Sequence, residues 1–164
     1  MVFGRPHQKA EPEKVSQSRD GVYLFPPKGL NIVWGNDPRY WMIPQNGPAW
    51  LMQVSWLEVS GSVRVTKGRK YRVKFEVSLD ADSFGFKGTT LLIMAKVGKN
   101  GAYNYDEVTL AQAGKLTIPN KTSGLEVQIP SDASDPTLYF GLYEVWSGKW
   151  KGGLEIHKAL VQPA

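Results

Sequence analysis

The 164-residue chain has no cysteine, which excludes disulfides, thiolate metal sites and cysteine nucleophiles. It has only two histidines, His7 and His157, far apart in sequence, too few and too distant to suggest a metal site. It has no Gly-rich phosphate loop and no nucleophile elbow. No apolar run is long enough to cross a bilayer, and "MVFGRPHQKAEPEKVSQSRDG" holds no stretch of signal-peptide length. A cytosolic protein is expected, without membrane insertion, and the triplet Asn120-Lys121-Thr122 is then not a used glycosylation site. Neither sign of charge dominates strongly. Twenty Lys and Arg stand against fifteen Asp and Glu, for a net +5 without a long basic run. Such a balance permits contact with a polyanion but does not require it.

Helical periodicity is also missing: no segment keeps it over three turns. Short apolar stretches instead alternate with Gly, Pro, Asn and Asp. In "KYRVKFEVSL", Tyr71, Val73, Phe75, Val77 and Leu79 share one face, which marks a strand buried on one side. "LNIVW", "YDEVTL", "GLEVQI", "TLYFGLYEVW" and "GLEIHKALVQ" read as further strands. "AWLMQVSWLEVSGSVRV" reads as a long β-rich stretch broken at Gly61, and "TTLLIMAKV" as a more fully buried strand. Turns are expected at Lys99-Asn100-Gly101, Pro119-Asn120-Lys121, Ser134-Asp135-Pro136 and Trp146-Ser147-Gly148-Lys149. The fold class is all-β: an antiparallel β-sandwich, jelly-roll-like, of eight to ten strands. Residues 1–20 form a polar N-terminal arm, and residues 21–164 one domain.

Aromatics are abundant, with six Trp, seven Tyr and six Phe. Trp50 and Trp56 sit in an apolar stretch and are expected in the core. Trp34 follows Ile32 at strand spacing, which suits either the core face or a rim. Trp41 follows the turn Gly35–Pro38, where periodicity gives no placement. In "GLYEVWSGKWKGGL", the apolar parity of Leu138, Phe140 and Leu142 continues into Glu144 and Trp146, with Trp150 and Lys151 just beyond. A buried carboxylate needs partners, so Glu144 either pairs with a cation such as Lys151 or faces a site. Exposed Trp beside fixed polar groups suits a pyranose, whose C–H face covers an indole while its hydroxyls find carboxylate, amide and ammonium partners. Carboxylate pairs such as Asp80/Asp82 or Glu144/Glu155 are weak grounds for glycosidase chemistry. No catalytic residues, metal or cofactor are expected.

The block Ile32-x-Trp34-x-x-Asp37-Pro38-x-Tyr40-Trp41, then "VSWLEVSGSV", then "LYEVWSGKWKGGLEIHKALVQP", resembles the phloem protein 2 type plant lectins, the group of the jasmonate-inducible tobacco lectin. The resemblance runs from about Gly29 to Pro163 in the family's order. It implies a non-catalytic, nucleocytoplasmic β-sandwich lectin of phloem sap or defence that forms a homodimer. The implied ligands are N-acetylglucosamine oligomers, including chitin fragments and the N-glycan core of glycoproteins. The family's proposed sugar-binding tryptophans and glutamate map to Trp34, Trp41 and Glu144. Thr137 stands where some members carry a second acidic residue. With the residues' own pattern, the expected sugar site is Trp34, Asn36, Arg39, Tyr40, Trp41, Glu144, Trp146, Trp150 and Lys151. The competing reading is an RNA-binding phloem carrier, with bases stacked on the same aromatics.

Overall fold

A computed structural model describes residues 6–119 and 124–164. The Asn120-Lys121-Thr122 triplet lies outside them, as do the last two residues of the turn expected at Pro119-Asn120-Lys121. Tyr71, Val73, Phe75, Val77 and Leu79 are all buried, as their alternation predicts. They lie on β7 (Lys70–Phe84), the longest of thirteen strands among the described residues, numbered in chain order. One edge of β7 pairs with β13 (Gly152–Pro163), the other with β10 (Gly114–Ile118) and β11 (Leu125–Gln128). Beyond β13 come β2 (Tyr23–Phe25) with β1 (Ser16–Gln17), and β5 (Ala49–Leu51) with β4 (Trp41–Met42), which completes an eight-stranded sheet. The second sheet has five strands, in the order β3 (Asn31–Ile32), β6 (Leu57–Arg64), β12 (Thr137–Glu144), β8 (Thr90–Val97) and β9 (Asn104–Thr109).

Every pairing is antiparallel, and the inward faces of both sheets share one apolar core. Phe140 of β12 sits at its centre, 4.9 Å from the Phe25 ring and 6.0 Å from the Phe75 ring. The all-β sandwich is as predicted. It exceeds eight to ten strands because several are two- or three-residue pairings at the margins.

Four local expectations are corrected. β6 runs unbroken through Gly61, because a Cβ there would lie 2.8 Å from the Phe140 ring: the glycine makes room for the core rather than ending the strand. β3 stops at Ile32 instead of running to Trp34, which adopts a positive φ of 65°. β8 buries Leu91, Ile93 and Ala95 but leaves Leu92 and Met94 half-buried, as a sheet with one inward face requires. Trp50 and Trp56 are not core residues. They are 43% and 46% exposed, each on the outward parity of its segment, while Ala49, Leu51, Leu57 and Val59 point inward.

The N-terminal segment is fastened to the sandwich. Gln8 is buried, bridges Ile32, and donates through Nε2 to the carbonyls of Pro27 (2.8 Å) and Leu30 (2.9 Å).

Candidate functional site

The loops at one end of the sandwich are built around a buried charge pair. β12 ends at Glu144, on the inward parity of Leu138, Phe140 and Leu142. Its carboxylate meets Lys151 Nζ at 2.9 Å, with side-chain exposures of 2% and 0%. Oε1 also accepts from Ser147 Oγ (2.6 Å), and Oε2 accepts from the backbone N–H groups of Ser147 (3.2 Å) and Trp146 (3.3 Å). Lys151 Nζ completes its three donors on the carbonyls of Ser55 (2.7 Å) and Lys149 (2.9 Å). Burial alone would raise the Glu144 pKa. The bonds from Ser147 and Lys151 outweigh it and hold the carboxyl below its ordinary value. The pair therefore fixes the path of residues 145–150, and the Val54–Lys151 bridge ties that path to the chain before β6. Gly85, at φ +83°, seats the loop from below: a Cβ there would collide with the Trp150 carbonyl and with Lys151.

The turn after β3 is built by local bonds. Trp34 is the one non-glycine with positive φ among the described residues, a conformation that costs an L-residue roughly 1–2 kcal/mol. It is held there by His7, whose Nδ1 accepts the Trp34 N–H at 2.9 Å and whose ring packs edge-to-face with the indole, the centroids 5.0 Å apart. Asn36 Nδ2 donates to the His7 carbonyl at 3.1 Å. Asp37 Oδ1 accepts the Arg39 N–H at 3.0 Å, an Asx turn, and its Oδ2 lies 2.7 Å from Arg39 Nη2. The Arg39 guanidinium then sits 5.0 Å above the Tyr40 ring.

Three of the predicted aromatics meet here. Trp34 and Tyr40 are 5.7 Å apart at 62°, and Tyr40 and Trp150 are 6.4 Å apart at 32°. Tyr40 is half-buried and Trp150 is 52% exposed. Trp146, 59% exposed, makes no ring contact with that row. It lines a separate pocket of about 370 Å³ with Thr89, Thr90, Ser147 and Lys149, over the buried Glu144. Asn36 and Arg39 are at the surface as expected.

Trp41, Glu144 and Lys151 are almost wholly buried rather than exposed as the expected site has them, although Glu144 lies at the floor of the Trp146 pocket. Trp41 is 2% exposed, because β4 pairs with β5 and turns the indole inward. Its Nε1 has no hydrogen-bond partner among the described residues, an omission that ordinarily costs about 1–3 kcal/mol. Glu144 and Lys151 satisfy one another and act by positioning the loop. The expected site lacks His7, for which an arm position gives no signal. It also lacks Trp50, whose Nε1 donates to Asp80 Oδ2 at 3.1 Å, and Trp56, whose Nε1 donates to Glu58 Oε1 at 3.0 Å. For these two the signal was parity: Trp56 alternates with Leu57 and shares the phase of Glu58, Ser60 and Ser62.

The two sheets and the loops at one end define an antiparallel β-sandwich. One solved structure with this fold is the GH26-CBM35 β-(1,4)-mannanase of Podospora anserina, at a TM-score of 0.50 and 10% identity over 89% of this chain and 28% of that one, a likeness of fold alone. Residues 21–163 match the family Phloem protein 2, and the chain belongs to that family. It is 38% identical to phloem protein 2-like A9 of Arabidopsis thaliana, over 95% of each chain. It is 26% identical to phloem protein 2-like A1 of the same plant, over 99% of this chain and 69% of that one.

Proposed function

We propose that this phloem protein 2 family member is a non-catalytic lectin for N-acetylglucosamine oligomers, with the Trp34–Tyr40–Trp150 row as its stacking surface. The observation that carries the reading is that row: three aromatics in ring contact, fixed by a left-handed Trp34 on one side and a loop pinned by a buried ion pair on the other. A sugar ring covering the Tyr40–Trp150 surface removes one indole face from water, worth roughly 1–2 kcal/mol. Asn36 and Arg39 supply polar partners at its margin, where each well-placed hydrogen bond adds discrimination. The acetamide brings both a methyl to pack and an amide to bond, so N-acetylglucosamine oligomers are favoured over glucose oligomers.

The test is calorimetric titration of wild type and Trp150→Ala with the N-acetylglucosamine trimer and with cellotriose. The acetylated trimer should bind tighter, and Trp150→Ala should weaken it about tenfold without a large change in melting temperature. Equal affinity for the two trimers, or unaltered binding by the variant, would overturn the reading. Ionic strength separates the RNA alternative: a neutral sugar's affinity should hardly move with salt, whereas RNA binding falls steeply.

A further inference from the structure

Four large apolar side chains stand exposed together on the eight-stranded sheet: Met42, Trp50, Met52 and Phe84. Met42 of β4 is the cross-strand neighbour of Trp50 of β5, and Met52 follows Trp50 at strand spacing. Gly152 closes the set. A Cβ there would lie 2.8 Å from the Phe84 ring and would strike the Met52 carbonyl, so its absence lets Phe84 lie against the Met52 backbone. None of the four belongs to the Trp34–Tyr40–Trp150 row. Apolar residues scattered singly over a surface need no explanation, whereas a contiguous patch marks a place of contact.

Two carboxyls edge the patch. Glu155 of β13 is the cross-strand neighbour of Trp50, and Asp80 of β7 accepts the Trp50 indole N–H at 3.1 Å, which fixes the indole's orientation. Neither carboxyl has an ion-pair partner among the described residues. Burial, and then the Asp80 carboxyl beside it, push the Glu155 carboxyl above its ordinary range, and only His157 pulls the other way. Further along the same face the charge reverses, with Lys70, Arg72 and Lys74 on β7 and Lys158 on β13. A polyanion would settle there and not at Trp50.

We infer that this patch docks a segment of a partner protein in which basic residues alternate with large apolar ones. The partner's apolar side chains cover Met42, Met52 and Phe84, and one of its cations stacks on the Trp50 indole and meets Asp80 and Glu155. Each demand has its own source. Exposed apolar surface gains by being covered, and the two methionines are flexible enough to fit what covers them. An oriented indole attracts a cation over its face. The crowded carboxyls lack a counter-charge, which an apolar partner would leave unmet and an acidic partner would oppose. A neutral sugar would use the indole and leave the carboxyls as crowded as before. Beside Trp50 and Glu155, a groove of about 620 Å³ runs past Pro44 and Pro48 and seats one apolar side chain of the segment. Lys28 also lines that groove, so the partner's cation belongs at the Asp80–Glu155 side of Trp50. None of this depends on the sugar reading, since the residues are a separate set.

The experiment is a titration of the full chain, ¹³C-labelled at its four methionine methyls, with a short synthetic peptide alternating leucine with arginine. Met42→Leu, Met52→Leu and Met94→Leu assign the three signals that matter. The Met42 and Met52 signals should shift. The Met94 signal, on the outward face of the five-stranded sheet, should stay in place. Peptides alternating serine with arginine, or leucine with glutamate, should each bind about tenfold more weakly. Asp80→Asn/Glu155→Gln together, and Trp50→Ser alone, should each raise the Kd of the leucine–arginine peptide by about tenfold. The methyl shifts are read on the unsubstituted chain, so they decide the matter even where a variant folds poorly. Static Met42 and Met52 signals, or a Met94 signal that moves as far as theirs, overturn the inference. So does equal binding of the serine–arginine peptide, which would reduce the contact to charge alone. Met42 and Met52 signals that move on concentrating the protein without peptide assign the patch to a second copy of this chain, and that too overturns it.

Discussion

Two acid–base pairs frame the aromatic end of this molecule. Glu144 and Lys151 lie 2.9 Å apart with almost no exposure, whereas Asp37 and Arg39 lie 2.7 Å apart with Arg39 72% exposed. Distance does not distinguish them; surroundings do. Each atom of the buried pair is saturated by a loop backbone or a serine, so removing either member leaves a charge in a dry place with its bonds unmade. The exposed pair returns to water when broken, and Asp37 keeps a job that needs no arginine side chain: accepting a backbone N–H to close the turn. One pair is the frame of the loop, and the other is trim on it.

The widest separation of the two pairs comes from Lys151→Met. Methionine fills much of the space but strands the Glu144 carboxylate. The loss of one member of a buried pair is expected to cost about 3–5 kcal/mol. For a domain of this length, that lowers the melting temperature by on the order of 10 °C. Calorimetric melts of Lys151→Met and Lys151→Met/Glu144→Leu check it. The double variant, with both charges gone, should recover part of the loss. A single variant that melts like wild type would mean that residues 145–150 are held by something else.

Glu144 also shows what the sequence could and could not reveal. Its parity on β12 placed it at the buried face, and the need for a cation made Lys151 a named candidate; both follow from period-two geometry and the cost of a lone buried charge. The β7 and β12 core faces were readable for the same reason. Trp50 and Trp56 depart from the core expectation because alternation, not the apolar content of their segment, decides which side chains point inward. Trp41 was not placeable, since the four-residue turn before it resets the phase, and its burial is decided by the β4–β5 pairing. His7, Asp80 and Glu155 come to their positions through contacts distant in sequence, which no local pattern encodes.

Acid sharpens the contrast through a second carboxylate. Glu144 is held below its ordinary value in the folded chain, so its contribution is complete above the unfolded value of about 4.3 and is lost as pH falls through the lower folded value. Glu155 has the opposite sign. Its folded value is raised, so the folded state binds more protons just above 4.3, and stability declines as pH rises from there through the folded value. Urea denaturation across this range should show stability climbing with pH on the acid side and easing off beyond it. Glu155→Gln should remove only the easing. If the variant instead flattens the acid limb, the two assignments are interchanged.

Arg39→Ala should be the smallest perturbation. Alanine keeps the backbone N–H that Asp37 accepts, so the turn Gly35–Pro38 and the left-handed Trp34 before it should persist, and the melting temperature should match wild type. What changes is the face of Tyr40, over which the guanidinium sits at 5.0 Å. Removing it uncovers ring surface and takes away one polar partner for a sugar, two effects of opposite sign. The net shift in affinity for the N-acetylglucosamine trimer should therefore stay within about fivefold, the size of an exposed cation–π contact. Salt gives an independent reading, since the Asp37–Arg39 attraction is screened in solvent: wild type and variant should converge as ionic strength rises. Asp37→Ala is the informative control. It deletes the acceptor that closes the turn, so it should disturb both the melt and sugar binding more than Arg39→Ala does. If Arg39→Ala lowers the melting temperature as far as Lys151→Met, the exposed pair is part of the frame after all, and the distinction between frame and trim fails.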